Sequence, residues 1–213
     1  MILSAMALKK VFNRRVVFKE LSFEAKSGQV LSITGPNGSG KSTVSKIICG
    51  VLTPTAGEVA LSNGEGKISR EKVHKHIGMV SPYLELYGEF TALENLKIEI
   101  KARMLTKPAE ERALEILDRV GLFSRRNDEL KGFSSGMKQR LKYAAALIHE
   151  PDVLVLDEPT ANLDVAGTDM VLSVIEQYRT DKIVVLATND VEEAALGDVK
   201  VVLQRKLGEG NEK

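Results

Sequence analysis

The sequence has few of the features that mark secreted, membrane-spanning or nucleic-acid-binding proteins. Its single cysteine, Cys49, has no partner for an internal disulfide, so we expect a reducing, cytoplasmic compartment. Lys and Arg total 30 against 29 Asp and Glu, and this balance argues against nucleic acid as a partner. The longest apolar stretches, such as residues 153–156, are too short to span a bilayer. The first positive charges follow the apolar residues, which is the wrong order for a secretory signal, so we expect a soluble protein.

Apolar residues are nevertheless abundant enough to form a hydrophobic core. The chain has 213 residues, of which 43% are hydrophobic, and these values predict one domain with room for a subdomain. Short apolar segments alternate with segments of helical period, a pattern typical of a largely parallel sheet covered by helices. The sequence therefore predicts an α/β fold.

The individual elements follow from hydrophobic period and turn signals. Three strands of a small antiparallel layer are predicted at residues 4–11, 16–18 and 21–25. Further strands are predicted at residues 30–34, 57–61, 77–80, 152–157 and 182–187. Helices are predicted from Ser42, over residues 92–105, from Pro108, after Gly136 and around residues 171–178. The helix-only block predicts a helical subdomain, residues 85–149, inserted into a core of residues 1–84 and 150–213.

The segment GPNGSGKST matches the phosphate-loop pattern G-x-x-x-x-G-K-[ST], and it follows a predicted strand and opens a predicted helix. Its glycines let backbone N–H groups point inward, and the helix adds its positive N-terminal end. Lys41 can reach the β- and γ-phosphates, and the Ser42 hydroxyl can ligate Mg²⁺. The candidate nucleotide contacts are Gly35, Pro36, Asn37, Gly38, Ser39, Gly40, Lys41, Ser42 and Thr43.

Two acidic residues end the apolar segment VLVLDEPT. In a parallel sheet the carboxyl ends of the strands meet at the edge where ligands bind, and the phosphate loop lies there too. Asp157 is therefore a candidate for holding Mg²⁺, usually through water, and Glu158 for orienting or deprotonating the water that attacks the γ-phosphate.

The segment FSSGMKQR, residues 133–140, is similar to the LSGGQ signature of the ATP-binding cassette (ABC) transporters. It differs at Phe133, Ser135 and Met137 but keeps Ser134 and Gly136, the two positions that touch phosphate in that family. Together with the phosphate loop and the acidic strand end, it makes the chain resemble the nucleotide-binding subunit of a small, exporter-like ABC transporter. The resemblance implies a P-loop NTPase core.

The resemblance covers residues 12–202 and implies further parts of a site. The segment ANLD resembles the D-loop and ends at Asp164, and Phe12 occupies the position of an aromatic residue that stacks on adenine. The family implies a homodimer, or a pair of ABC ATPase subunits, that clamps two ATP molecules with Mg²⁺ head to tail. Each site would combine one phosphate loop with the partner's signature residues Ser134, Ser135 and Gly136. ATP hydrolysis would drive an integral membrane permease, with the ATPase peripheral to the inner face of the cell membrane.

Two positions depart from the family pattern. Pro82 stands where the family has a glutamine, and Asn189 stands where it has the histidine that contacts the γ-phosphate. An asparagine amide carries no charge near neutral pH, so it offers only a neutral hydrogen bond. Because a stabilising donor is weakened, we expect slow but real hydrolysis, with Asn189 as a candidate catalytic residue beside Glu158 and Lys41. An inert turn residue at Asn189 stays the alternative.

Other readings of the whole chain stay open at this point. One is a nucleotide-gated clamp that uses ATP for association with weak hydrolysis, and another is a soluble ABC ATPase in cofactor assembly. The segment HKH, residues 74–76, suggests a metal site, but a solvated face is the preferred interpretation. Cys49 is expected to be a small core residue, and Lys138, Arg140 and Lys142 are expected on the exposed face of their helix.

Overall fold

The computed structural model describes residues 1–105 and 109–204, which form two sheets and six α-helices within those ranges. In chain order the strands are β1 (Ile2–Phe12), β2 (Arg15–Lys26), β3 (Val30–Thr34), β4 (Ala56–Asn63), β5 (Gly66–Lys67), β6 (Ile77–Val80), β7 (Val153–Asp157), β8 (Ile183–Thr188) and β9 (Val199–Val202). The helices are α1 (Lys41–Ile48), α2 (Ala92–Ala102), α3 (Ala109–Arg119), α4 (Ser135–Leu147), α5 (Val165–Tyr178) and α6 (Val191–Ala195). The predicted helix start at Pro108 lies outside the described residues.

The predicted antiparallel layer is present, with the strand order β2-β1-β4-β5. The prediction of two strands at residues 16–18 and 21–25 is wrong, because β2 is continuous. Its register against β1 shifts near Ala7 and Glu20, which have φ values of 48° and 57°. Such bulges interrupt the side-chain alternation without ending the strand, so the pattern of residues 16–25 looked like two short elements.

The second sheet is parallel and has the order β6-β7-β8-β3-β9. Every residue of β7 and β8 is buried, as expected of strands covered on both faces. The edge strand β9 and the short helix α6 were not predicted, because Lys200 interrupts the apolar run of β9 and the five residues of α6 are too few to show a helical period. This sheet brings the carboxyl ends of β3, β7 and β8 side by side.

The predicted helical block contains α2, α3 and α4, which share a hydrophobic core with one face of the parallel sheet. The capping box at Thr91 and Glu94 is present, and α2 ends at Ala102 instead of residue 105. Helix α4 begins at Ser135, two residues before the predicted start, because Ser134 caps it by accepting a hydrogen bond from the Met137 N–H. The division into a core and an inserted subdomain stays a prediction.

Two further expectations concern Cys49 and the membrane. Cys49 packs against the core between the sheets, as predicted, and burial raises the pKa of its thiol to about 12. Across residues 1–105 and 109–204, no helix combines the length and the apolar character needed to cross a bilayer.

Candidate nucleotide site

The phosphate loop connects the end of β3 to the start of α1 and requires glycine at two positions. Gly40 has a φ of 104°, and a Cβ atom there would lie 2.6 Å from Cγ1 of Val17. Gly35 has a φ of 145°, and a Cβ atom there would collide with the Leu203 carbonyl oxygen. Residues with a Cβ atom rarely adopt these backbone conformations, so the geometry of this loop depends on glycine.

An open cleft of about 880 Å³ lies above this loop and brings most of the predicted residues together. Of the predicted nucleotide contacts and catalytic residues, it is lined by Phe12, Asn37, Gly38, Ser39, Gly40, Lys41, Ser42, Thr43, Asp157, Glu158 and Asn189. Pro82 lines it as well. Gly35 and Pro36 do not line the cleft. The Gly35 carbonyl oxygen instead accepts a hydrogen bond from Nζ of Lys41.

Lys41 connects the phosphate loop to the acidic residues at the end of β7. Its side chain is almost completely buried, and Nζ donates a hydrogen bond of 2.9 Å to the Gly35 carbonyl oxygen. The same Nζ lies 3.6 Å from Oε1 of Glu158. A buried ammonium group held between a backbone oxygen and a carboxylate is suited to contact a phosphate. Burial raises the pKa of Glu158, and the charges of Asp157 and Glu193 add to this while Lys41 opposes it.

Asp157 has the surroundings expected of a cation ligand. It ends β7 with 0% exposure, and within residues 1–105 and 109–204 neither of its carboxylate oxygens accepts a hydrogen bond. Burial raises the pKa of this carboxyl group, and the positive charges of Lys41 and Lys46 oppose the rise. A buried carboxylate without a partner is costly, and a divalent cation supplies the missing charge. Asp157 and Ser42 therefore fit Mg²⁺.

Asn189 lies at the carboxyl end of β8 and reaches the phosphate loop. Its Nδ2 atom donates a hydrogen bond of 3.2 Å to Oδ1 of Asn37. The next residue, Asp190, starts α6 by accepting hydrogen bonds from the N–H groups of Glu192 and Glu193, at 2.8 and 3.0 Å. Asn189 is therefore placed at the mouth of the cleft instead of in a turn remote from it.

The signature residues lie apart from the phosphate loop of the same chain. Ser134, Gly136 and Asp164 line a separate cleft of about 280 Å³, and Ser135 lines a third one of about 190 Å³. Asp164 caps α5 by accepting a hydrogen bond of 2.8 Å from the Gly167 N–H, and it accepts another of 2.8 Å from Nη2 of Arg140. These bonds, the Gly167 bond first, lower the pKa of Asp164.

The structure adds four cleft residues that the sequence did not reveal: Arg15, Val16, Val17 and Tyr83. Nζ of Lys46 lies 4.8 Å from the centre of the Tyr83 ring, and Nζ of Lys10 lies 4.6 Å from that of Phe12. Tyr83 follows Pro82 directly, so its position beside a departure from the family pattern was the available signal. Nothing in the local sequence marked the valines, which belong to the antiparallel sheet.

Two expectations about exposed residues need correction. Lys142 is half-buried, and its Nζ donates hydrogen bonds to the carbonyl oxygens of Ser81 and Pro82, at 3.3 and 3.1 Å. These hydrogen bonds connect α4 to the loop that lines the cleft. Burial lowers the pKa of this ammonium group. His76 is not simply part of a solvated face, since its Nδ1 lies 2.7 Å from Oδ2 of Asp152.

Comparison with known proteins decides the family. The sequence pattern that describes the ABC transporter family matches residues 18–161, which include the phosphate loop, the signature and the acidic strand end. The chain belongs to the ABC transporter family. Its resemblance to the ATP-binding subunits of that family, inferred from the motifs, is thus confirmed, as is the expected α/β fold.

Several curated relatives of this ATP-binding domain carry descriptive names. The chain is 36% identical over 190 residues to the linearmycin resistance ATP-binding protein LnrL of Bacillus subtilis, and the match covers 88% of this chain and 60% of the relative. It is 33% identical over 184 residues to the lantibiotic transport ATP-binding protein SrtF of Streptococcus pyogenes, covering 86% and 78%. It is 35% identical over 212 residues to the Nod factor export ATP-binding protein I of Rhizobium leguminosarum, covering 95% and 67%. The chain thus spans only part of the length of these relatives.

Solved structures agree with this assignment. An ATP-binding subunit of an ABC transporter superimposes with a TM-score of 0.84 at 26% identity, covering 95% of this chain and 86% of the other. A dimeric, post-hydrolysis ATP-binding cassette bound to ADP and phosphate superimposes with a TM-score of 0.83 at 27% identity, covering 94% of both chains. The fold of this domain is that of an ABC cassette.

Proposed function

We propose that this domain binds and hydrolyses ATP with Mg²⁺ and that the energy drives a membrane transporter. The observation that carries the proposal is the convergence of Lys41, Asp157 and Glu158 on one cleft beside the phosphate loop. Membership of the family supports it, as does the similarity to a cassette that holds ADP and phosphate.

Each group in the cleft has a role that its chemistry suits. The loop N–H groups and Lys41 bind the phosphates. Ser42 and Asp157 would hold Mg²⁺, which would supply positive charge that stabilises the phosphate groups during hydrolysis. Glu158 orients or deprotonates the attacking water, because its raised pKa makes it a better base than an exposed carboxylate. Phe12 stacks on adenine, and Asn189 offers a neutral hydrogen bond to the γ-phosphate.

The working unit in this proposal is a head-to-tail dimer, either of two identical chains or of this chain and a paired ABC ATPase subunit. In one chain the signature residues and Asp164 lie in clefts separate from the phosphate loop. A second chain is therefore needed to bring them to ATP. The similarity to dimeric cassettes supports this arrangement.

The membrane partner follows from the names of the relatives, which describe lantibiotic transport and Nod factor export. We infer an integral membrane permease of an exporter-like system, with this domain on the cytoplasmic side at the inner face of the membrane. A clamp with weak hydrolysis is the second candidate, and the observation that favours it is the neutral Asn189 at the mouth of the cleft.

A mixing experiment tests the composite site. Lys41→Ala damages only the phosphate loop and Ser134→Arg only the signature, so either variant alone should release almost no phosphate from Mg²⁺-ATP. In a head-to-tail mixed dimer, the intact loop of one chain faces the intact signature of the other, and activity should return on mixing. If each site were built from one chain, or if the second subunit were a different ABC ATPase chain, the mixture would stay as inactive as its components.

A further inference from the structure

Glu158 occupies an uncommon backbone conformation. Its φ is 51°, in the left-handed region that residues with a Cβ atom seldom adopt. Such a conformation persists only where the surrounding structure holds it. The turn that carries this carboxylate into the cleft must therefore be fixed by contacts from neighbouring elements.

Three elements hold the turn of residues 158–160. The Glu158 N–H donates a hydrogen bond of 2.8 Å to the Ala187 carbonyl oxygen of β8. The hydroxyl of Tyr143 in α4 donates one of 2.9 Å to the Pro159 carbonyl oxygen. Thr160 donates two to the same atom, Oε1 of Glu193 in α6, from its hydroxyl at 2.6 Å and from its N–H at 3.3 Å.

Glu193 is unusual among these anchors because it is a buried carboxylate. It is 6% exposed, and burying such a group is unfavourable unless hydrogen bonds satisfy it. It sits four residues after Asn189, on the helix that Asp190 caps. The short helix thus follows Asn189 directly in the chain, and through Glu193 it contacts Thr160 in the turn after Glu158.

We propose that Glu193 is a positioning residue for hydrolysis: through Thr160 it holds the turn that aims the Glu158 carboxylate into the cleft. This inference rests on the role given to Glu158 under the proposed function. It predicts that loss of the Glu193–Thr160 contact slows the chemical step while nucleotide binding, which depends on the phosphate loop, is retained.

The chain offers variants that separate positioning from general stability. Thr160→Val keeps the shape of the side chain but removes the hydroxyl donor, and Thr160→Ser restores the donor. Glu193→Ala removes the acceptor of both hydrogen bonds. Glu192→Ala is the matched control, because Glu192 is the exposed neighbour on the same helix.

The measurements are kcat and KM for Mg²⁺-ATP with the full chain, together with the stoichiometry of ATP binding. We expect Glu193→Ala to lower kcat by roughly tenfold to a hundredfold and Thr160→Val by about tenfold, with KM within about twofold, because small displacements of a catalytic group are that costly. Thr160→Ser and Glu192→Ala should stay near wild type. A protein that carries both Glu193→Ala and Thr160→Val should have a kcat no lower than that of Glu193→Ala alone, since both substitutions break the same Thr160–Glu193 contact.

The results distinguish the inference from the function on which it depends. Wild-type kcat in Thr160→Val and Glu193→Ala, alongside an inactive Glu158→Gln, would overturn the positioning role alone. A fall in kcat matched by an equal loss of ATP-binding stoichiometry would also overturn it, because the cause would then be unfolded protein. Unchanged activity in Glu158→Gln would instead refute the role of Glu158.

Discussion

The side-chain amide of Asn189 donates a hydrogen bond of 3.2 Å to Oδ1 of Asn37, and this contact connects the end of β8 to the phosphate loop. The pair stands at the mouth of the cleft, within the lining that also contains Lys41 and Glu158. An amide in this position can turn from its neighbour in the loop to a phosphate oxygen, but it cannot bring a positive charge.

The first prediction concerns this amide. Asn189→Ala should lower the kcat of ATP hydrolysis by about tenfold, since a donor aimed at developing charge is removed. Asn189→His should raise kcat above wild type, because a charged donor binds an anion about twice as strongly as a neutral one. Steady-state phosphate release is the measurement, and Asn127→Ala, at an exposed position, is the control. Unchanged turnover in Asn189→Ala would show that Asn189 is an inert turn residue.

The second prediction sets stability against activity at Asp157. Because burial raises the folded-state pKa of this group, its ionised form at neutral pH costs stability, and the cost is lost when the charge is removed. Asp157→Asn should therefore increase the free energy of unfolding without nucleotide by about 1–3 kcal/mol. The same variant should lose Mg²⁺-dependent hydrolysis.

Denaturant unfolding and a Mg²⁺ titration of ATPase activity check this prediction. Asp118→Asn, on the exposed face of α3, should change neither quantity. A less stable Asp157→Asn protein would contradict the stability argument, and an unchanged Mg²⁺ requirement would contradict the assignment of Asp157 as a cation ligand.

The third prediction concerns pH and His149. Burial, followed by the charge of Arg103, lowers the pKa of His149 from 6.5 to about 4. Its Nε2 lies 3.1 Å from both Nη1 of Arg103 and the Ile77 carbonyl oxygen. Between pH 6.5 and pH 4 the unfolded chain binds a proton that the folded chain excludes. The free energy of unfolding should therefore fall as the pH drops through this window, by up to about 3 kcal/mol from this group.

The difference between wild type and His149→Gln isolates that contribution. The variant should lose stability less steeply between pH 6.5 and pH 4, whereas His74→Gln, at an exposed site, should follow wild type. Parallel curves for wild type and His149→Gln across this range would exclude the proposed linkage.

Local chemistry explains which parts of this molecule could be predicted from its sequence. The strands Val30–Thr34 and Ile77–Val80 were predicted with their observed bounds, because short apolar runs end at glycine or polar residues. The phosphate loop was predictable because its function requires glycines at fixed spacing. These signals all lie within a few consecutive residues.

Contacts between distant parts of the chain could not be predicted in this way. Thr160 lies in the turn after β7 and Glu193 in α6, and the sequence near either residue gives no sign that the two side chains are in contact. The same holds for Lys142, whose helical position suggested solvent but whose ammonium group binds the loop at Pro82. Tyr83 reaches the cleft because the segment after β6 passes close to α1, where Nζ of Lys46 lies 4.8 Å from the centre of the Tyr83 ring.

The most direct test of the account is phosphate release from Mg²⁺-ATP by wild type and Glu158→Gln, with Glu192→Gln as the charge-matched control. Glu158→Gln removes the negative charge that lies 3.6 Å from Nζ of Lys41. Because glutamine has nearly the same shape as glutamate, the variant changes the chemistry of the cleft with little change in its shape. We predict slow but measurable turnover in wild type and in Glu192→Gln. Glu158→Gln should bind ATP normally and hydrolyse it about a hundredfold more slowly. Equal, negligible rates in all three proteins would contradict the account and leave a nucleotide-gated clamp in its place.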